Sequence, residues 1–114
     1  MKLLAGHSLE ELRLGKTAIG DVGLRHVAAH KQLTLLMLNH TRVTDAGMKD
    51  VANLNKLSLL DLANTHVSDA GARELTALPQ LGKLHLSFTQ VSKGGFADLK
   101  KAMPNCGIVH NTAK

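Results

Sequence analysis

Leu9, Leu33, Leu57 and Leu81 stand 24 residues apart, and almost every neighbour returns at the same interval. Leu12, Leu36, Leu60 and Leu84 repeat the spacing, as do Leu14, Leu38, Leu62 and Leu86. Thr17, Thr41, Thr65 and Thr89 follow, then Ile19, Val43, Val67 and Val91, then Gly23, Gly47, Gly71 and Gly95. A fixed period of this kind predicts a solenoid, because each repeat is one supersecondary unit that buries its apolar face only against its neighbours. The period constrains architecture far more than function.

One repeat, residues 33–56, can be read physically. Leu36 and Leu38 fall on one side of an extended segment, with Leu35, Met37 and Asn39 on the other. Alternation with a period of two is the strand signal. Successive repeats then stack their strands in parallel, and the rest of each repeat serves as the crossover that parallel pairing needs. Thr41 comes three residues after the last strand leucine, where a hydroxyl satisfies backbone groups beyond the ladder. Repeated four times, it predicts a buried hydroxyl ladder. Val43 returns to the core, and Thr44-Asp45 opens a helix. Thr44, Ser68 and Ser92 suit the N-cap, while Asp21, Asp45 and Asp69 set negative charge at the positive end of the dipole. Because the helix start recurs, those aspartates read as structural rather than as a metal site. Gly47 and its equivalents fall in the first helical turn, where glycine is unfavourable, so the helix there passes too close to a neighbouring repeat to admit a Cβ. Met48, Val51 and Leu54 form the inward face of a short helix.

The division that follows is one domain over 1–114: a partial repeat 1–8, repeats 9–32, 33–56, 57–80 and 81–105, and a closing strand in 106–114. Met1 to Ala5 align with Arg25 to Ala29, so the first strand, Glu11 to Leu14, is expected to present an uncapped edge open to self-association. Cys106 to Asn111 align with Leu81 to Leu86 at an offset of 25, through one residue inserted near Met103-Pro104. On that alignment Ile108-Val109 is the closing strand, with Cys106 in a buried leucine position.

Composition narrows the function classes. Phe88 and Phe96 are the only aromatics, so base-stacking platforms are not expected. The net charge of +5 is spread along the chain, its densest stretch being Lys93, Lys100, Lys101 and Lys114, which reads as solvated surface and not as a nucleic-acid patch. Cys106 is the only cysteine, so no intrachain disulfide forms; this leans toward an intracellular setting, with the compartment otherwise open. No apolar run approaches the roughly 20 residues that span a bilayer, and the chain reads as soluble with no membrane partner.

The pattern L-x-x-L-x-L-x-x-T-x-[IV]-[TSG]-D-x-G resembles leucine-rich repeats, from Met1 to about His110. It is most similar to the 24-residue bacterial type reading T-x-V-T-D-A-G-L, and similar also to the cysteine-containing repeats of F-box substrate receptors, which carry cysteine where this chain has threonine. Gly20 in place of a cap hydroxyl, Ala72 on a helix face and Lys93 in place of an aspartate depart from the pattern. The resemblance implies an α/β, right-handed solenoid with short parallel strands on the concave face and short helices on the convex face. It implies a protein ligand lying across the strands, no cofactor and no catalytic residues.

Strand residues pointing away from the core form rows. One runs Glu11, Leu35, Leu59, Lys83, Ile108; the next Arg13, Met37, Asp61, His85, His110; a third Gly15, Asn39, Ala63, Ser87, Thr112. Leu35, Met37 and Leu59 are apolar where the core does not need them, and an exposed apolar cluster rimmed by Arg13, Lys83 and Asp61 is the usual form of a protein-binding patch, to which His85 in the same row is added as an expected contact. The expected function is therefore non-catalytic protein capture, the alternative being a structural spacer within a larger multidomain repeat protein. Asp61, His85 and His110 are the one chemically suggestive constellation, within reach of a divalent metal on adjacent strands, but no nucleophile or third-ligand motif accompanies them. His26 and His30 share a helix face, yet His30 holds the inward position of Leu54 and Leu78 and reads as structural.

Overall fold

The computed structural model describes residues 10–111. Five strands of three residues each, β1 (Glu11–Arg13), β2 (Leu35–Met37), β3 (Leu59–Asp61), β4 (Lys83–His85) and β5 (Gly107–Val109), form one sheet in chain order. Every neighbouring pair is parallel. Between them run α1 (Asp21–Val27), α2 (Asp45–Val51), α3 (Asp69–Glu74), continued by a 3₁₀ turn over Leu75–Ala77, and α4 (Lys93–Ala102). No described helix is long and apolar enough to cross a membrane. The result is an α/β solenoid of 45 × 28 × 20 Å.

The strands stack because each repeat supplies the same inward leucines. Leu36, Leu60 and Leu84 are fully buried, as are Leu38, Leu62 and Leu86, and they meet Leu24, Met48, Val51 and Leu75 from the helix layer. At roughly 1.5–3 kcal/mol per buried side chain, this one continuous core is what holds repeats of so little secondary structure in place. Backbone pairing runs beyond the three strand residues. The amides of Leu14, Leu38, Leu62 and Leu86 donate to the next repeat at 2.7–2.9 Å, and so do those of Lys16, His40, Asn64 and Phe88 at 2.8–3.0 Å. To aim that second amide along the ladder the chain turns left-handed: Lys16, His40, Asn64 and Phe88 have φ of 57–60°. Asparagine suits that conformation best and histidine to a lesser degree, whereas lysine and phenylalanine do not.

The hydroxyl ladder forms. The Thr17, Thr41, Thr65 and Thr89 hydroxyls donate to the carbonyls of Leu14, Leu38, Leu62 and Leu86 at 2.6–2.7 Å. Thr41 and Thr65 are buried, whereas Thr17 is exposed.

A second ladder joins the helix starts. Asp21 accepts from the Thr44 amide at 2.8 Å and from its hydroxyl at 2.5 Å. Asp45 takes the same two bonds from Ser68 at 2.7 and 2.5 Å, and Asp69 from Ser92 at 2.7 and 2.6 Å. Each carboxylate thus holds the cap residue of the following repeat, as well as sitting at the start of its own helix. The glycine three residues after that cap residue makes room for the carboxylate. A Cβ on Gly47 would stand 2.5 Å from Asp21 Oδ1, and one on Gly71 would stand 2.9 Å from the Cα of Asp45. For Gly47, Gly71 and Gly95 the close neighbour is therefore the aspartate of the preceding repeat, whereas a Cβ on Gly23 would meet Ile19 of its own repeat at 2.7 Å, so the inference fails at that one position. Thr44 and Ser92 also cap their own helices, accepting from the Ala46 and Gly95 amides, whereas Gly20 and Ser68 make no side-chain cap bond.

At the C-terminal end the strand register differs from the alignment at an offset of 25. Cys106 does occupy a leucine-like position, its amide bonded to the Met103 carbonyl as Leu57 is to Leu54, and burial pushes its thiol pKa up. The chain then reaches the ladder one residue early, so Leu84 pairs with Ile108 and His85 with Val109. A slip of one residue exchanges the faces of a strand. Ile108, not Val109, packs against the core, and His110 takes the position of the buried leucines. There its ring stacks on Phe96 at 4.9 Å between centroids and its Nε2 bonds the Val91 carbonyl at 2.8 Å. The larger aliphatic side chain and a hydrogen-bonded, stacked imidazole fill the end of the stack. The segment aligned as a partial first repeat, Leu9 and Thr112 lie outside the described residues.

Candidate protein-binding face

Because the strands pair 24 residues apart throughout, the side of the sheet away from the core is a grid. The observed rows are Glu11, Leu35, Leu59, Lys83, Gly107, and Arg13, Met37, Asp61, His85, Val109. Ile108 and His110 leave the rows in which the sequence placed them, and Gly107 and Val109 replace them. The sequence-predicted residues Arg13, Leu35, Met37, Leu59, Asp61, Lys83 and His85 thus remain contiguous over β1 to β4. Leu35, Met37 and Leu59 are half-buried rather than exposed.

The polar groups of the face differ in how well they are satisfied. Arg13 pairs with Glu11 at 3.0 Å on the open edge of the grid. The Asp61 carboxylate, only 16 % exposed, accepts the Ala63 amide at 3.0 Å. Across the ladder, His85 Nδ1 stands 4.0 Å from Asp61 Oδ1, buried and with no hydrogen-bond partner among the described residues. That separation allows attraction when the imidazole is protonated but is too long for a hydrogen bond. Lys83 is exposed and makes no ion pair among the described residues; across the ladder its partner is Gly107, which adds no side chain beside it. Asn39 leans over Gly15, where a Cβ would meet its Oδ1 at 2.5 Å.

The suggestive trio of Asp61, His85 and His110 is not assembled. His110 belongs to the other face of the sheet, and no group of three His, Cys, Asp or Glu side chains placed to hold a metal occurs among the described residues. One feature at the rim lies outside the residues that the sequence pattern singled out. Phe88 is 45 % exposed and left-handed, an aromatic side chain that gains little from its own fold. Its signal was Asn64 at the equivalent position, a residue type tolerated in that conformation.

Comparison with known proteins agrees with this architecture. A leucine-rich-repeat family model matches residues 7–28 and 53–75. A leucine-rich-repeat protein of Leptospira interrogans superposes with a TM-score of 0.69 at 24 % identity, over 88 % of this chain and 25 % of that one. Internalin C2 of Listeria monocytogenes superposes with a TM-score of 0.59 at 28 % identity, over 75 % of this chain and 35 % of that one. The chain therefore spans only about a quarter to a third of the length of these two proteins. Among curated proteins none matches it. Solenoids of this kind generally serve as protein-interaction scaffolds, through the extended surface their stacking creates. Taken with the parallel ladder and its recurring leucines, these likenesses identify the fold as a leucine-rich-repeat solenoid.

Proposed function

We propose that the chain captures a protein segment, without catalysis, across the strand face formed by Arg13, Leu35, Met37, Leu59, Asp61, Lys83 and His85. One observation carries the reading: three large apolar side chains occupy adjacent grid positions on the side of the sheet that the core does not use. An apolar centre with a polar rim is the anatomy of a protein interface. Stacking of nucleobases has no support there, since the exposed aromatic side chain among the described residues is Phe88 alone.

A display library of random dodecapeptides panned against the folded chain tests this. Wild type should enrich sequences that the paired variant Leu35→Thr, Leu59→Thr does not hold, while circular dichroism and the melting curve of that variant stay near wild type. A convex-face variant, Lys49→Glu with Arg73→Glu, should retain the enriched peptides. Equal retention by the strand-face variant would refute the reading. A second reading rests on β1, which has no strand on its outer side among the described residues. We propose that this edge can recruit a second copy, which sedimentation across a concentration series would detect as a dimer lost on Glu11→Pro.

A further inference from the structure

The charges on the strand face are not equivalent, and their inequality describes the partner. Arg13 is answered by Glu11 at 3.0 Å, and Asp61 by the Ala63 amide at 3.0 Å with His85 beside it at 4.0 Å. Lys83 stands directly across the ladder from Leu59, which in turn neighbours Leu35, so the apolar row ends on an exposed cation. On its far side lies Gly107, which leaves the approach to the ammonium open. Adjacent strands lie about 4.8 Å apart, which puts the Leu35 and Lys83 backbones about 10 Å apart.

We infer that the segment captured by this face is acidic as well as apolar, carrying a carboxylate within about 10 Å of two apolar side chains so that the carboxylate meets Lys83 while they cover Leu35, Met37 and Leu59. The inference rests on the strand face being the binding surface. It follows from charge complementarity: covering Leu35 and Leu59 draws the edge of the partner over Lys83, and a cation shielded from water without an anion is penalised. A partner with lysine or arginine at that point meets like charge and is rejected, so Lys83 sets selectivity as much as affinity.

The same dodecapeptide library tests the inference when it is panned in parallel against wild type and Lys83→Glu. Sequences enriched on wild type should pair two apolar residues with Asp or Glu, and those enriched on Lys83→Glu should carry Lys or Arg instead. A labelled wild-type peptide should bind Lys83→Glu about tenfold more weakly by fluorescence anisotropy, and its Glu-to-Lys counterpart should recover that loss. Apolar sequences without an acid, bound equally by wild type and Lys83→Glu but lost on Leu35→Thr, Leu59→Thr, would overturn the inference and leave the binding face standing. Enrichment indifferent to all three substitutions would remove both. Selection of a polyanion instead, seen as competition by a single-stranded oligonucleotide with no need for Leu35, would also overturn it.

Discussion

Replacing Gly71 by alanine sets two effects of opposite sign against each other. Gly71 lies in the first turn of α3, and helix propensity alone predicts that alanine stabilises there by up to about 1 kcal/mol. The space around it predicts the reverse. The new methyl would stand 2.9 Å from the Cα and Cγ of Asp45 and closer still to its Oδ1. A backbone atom cannot swing away as a side-chain end does, so α2 and α3 must separate, at a cost of about 1–3 kcal/mol for overpacking. Separation also lengthens the two bonds by which Asp45 holds Ser68, and bonds to a charged group contribute about 1.5–3 kcal/mol each. The net expectation is destabilisation by about 2–3 kcal/mol, which for a domain near 100 residues lowers Tm by roughly 8–15 °C. Urea unfolding followed by circular dichroism measures it. Gly94→Ala is the matched control in the first turn of α4, because the nearest atom to its new methyl is Ser92 Oγ at 3.8 Å; it should be neutral or slightly stabilising. Adding Asp45→Ala to Gly71→Ala should cost less than the sum of the two single changes, since both act on one contact. If Gly71→Ala proved as stable as wild type, the aspartate ladder would not be what excludes a side chain at this position.

Two further expectations concern the ends of these ladders. The Ser92 hydroxyl and amide hold the Asp69 carboxyl below its ordinary value of 3.8, helped by Arg73 and His110. A lowered native pKa gives stability that is complete above the unfolded value and lost as pH falls through the native one. Acid unfolding of wild type should therefore steepen below about pH 4, and Asp69→Asn should flatten that limb while leaving the neutral limb parallel; an unchanged acid limb would refute it. Phe88→Asn should raise stability by about 0.5–1 kcal/mol, since asparagine tolerates the left-handed backbone that Asn64 already shows and the lost aromatic surface is half exposed. A fall in Tm would mean that the phenyl ring packs more than its exposure indicates.

The periodic part of the molecule was legible because every repeat meets the same demand. The leucines mark the core, the threonines close the strand ends, and the glycines announce a close approach, each confirmed by several copies in one chain. What the period could not show is which atoms meet between repeats. An aspartate at a helix start is already explained by the dipole of its own helix, so nothing local betrays that it also holds a cap residue 23 positions later. The left-handed turns were hidden for a similar reason: lysine and phenylalanine carry no signal for positive φ, histidine a weak one, and Asn64 the clearest.

Sequence by itself determined the parallel order of the strands, the side on which each strand leucine lies and the position of every helix start, because burial and capping act alike on each copy. Tertiary structure alone decided the last register and therefore the last column of the strand face. Two pairings one residue apart carried equally plausible apolar patterns, and the choice between them was made by Ile108 against the core and His110 stacked on Phe96. That choice moved a histidine off the outward strand face and left Gly107 beside Lys83. It is non-local contact, formed only once the fourth helix is in place, that separates the two.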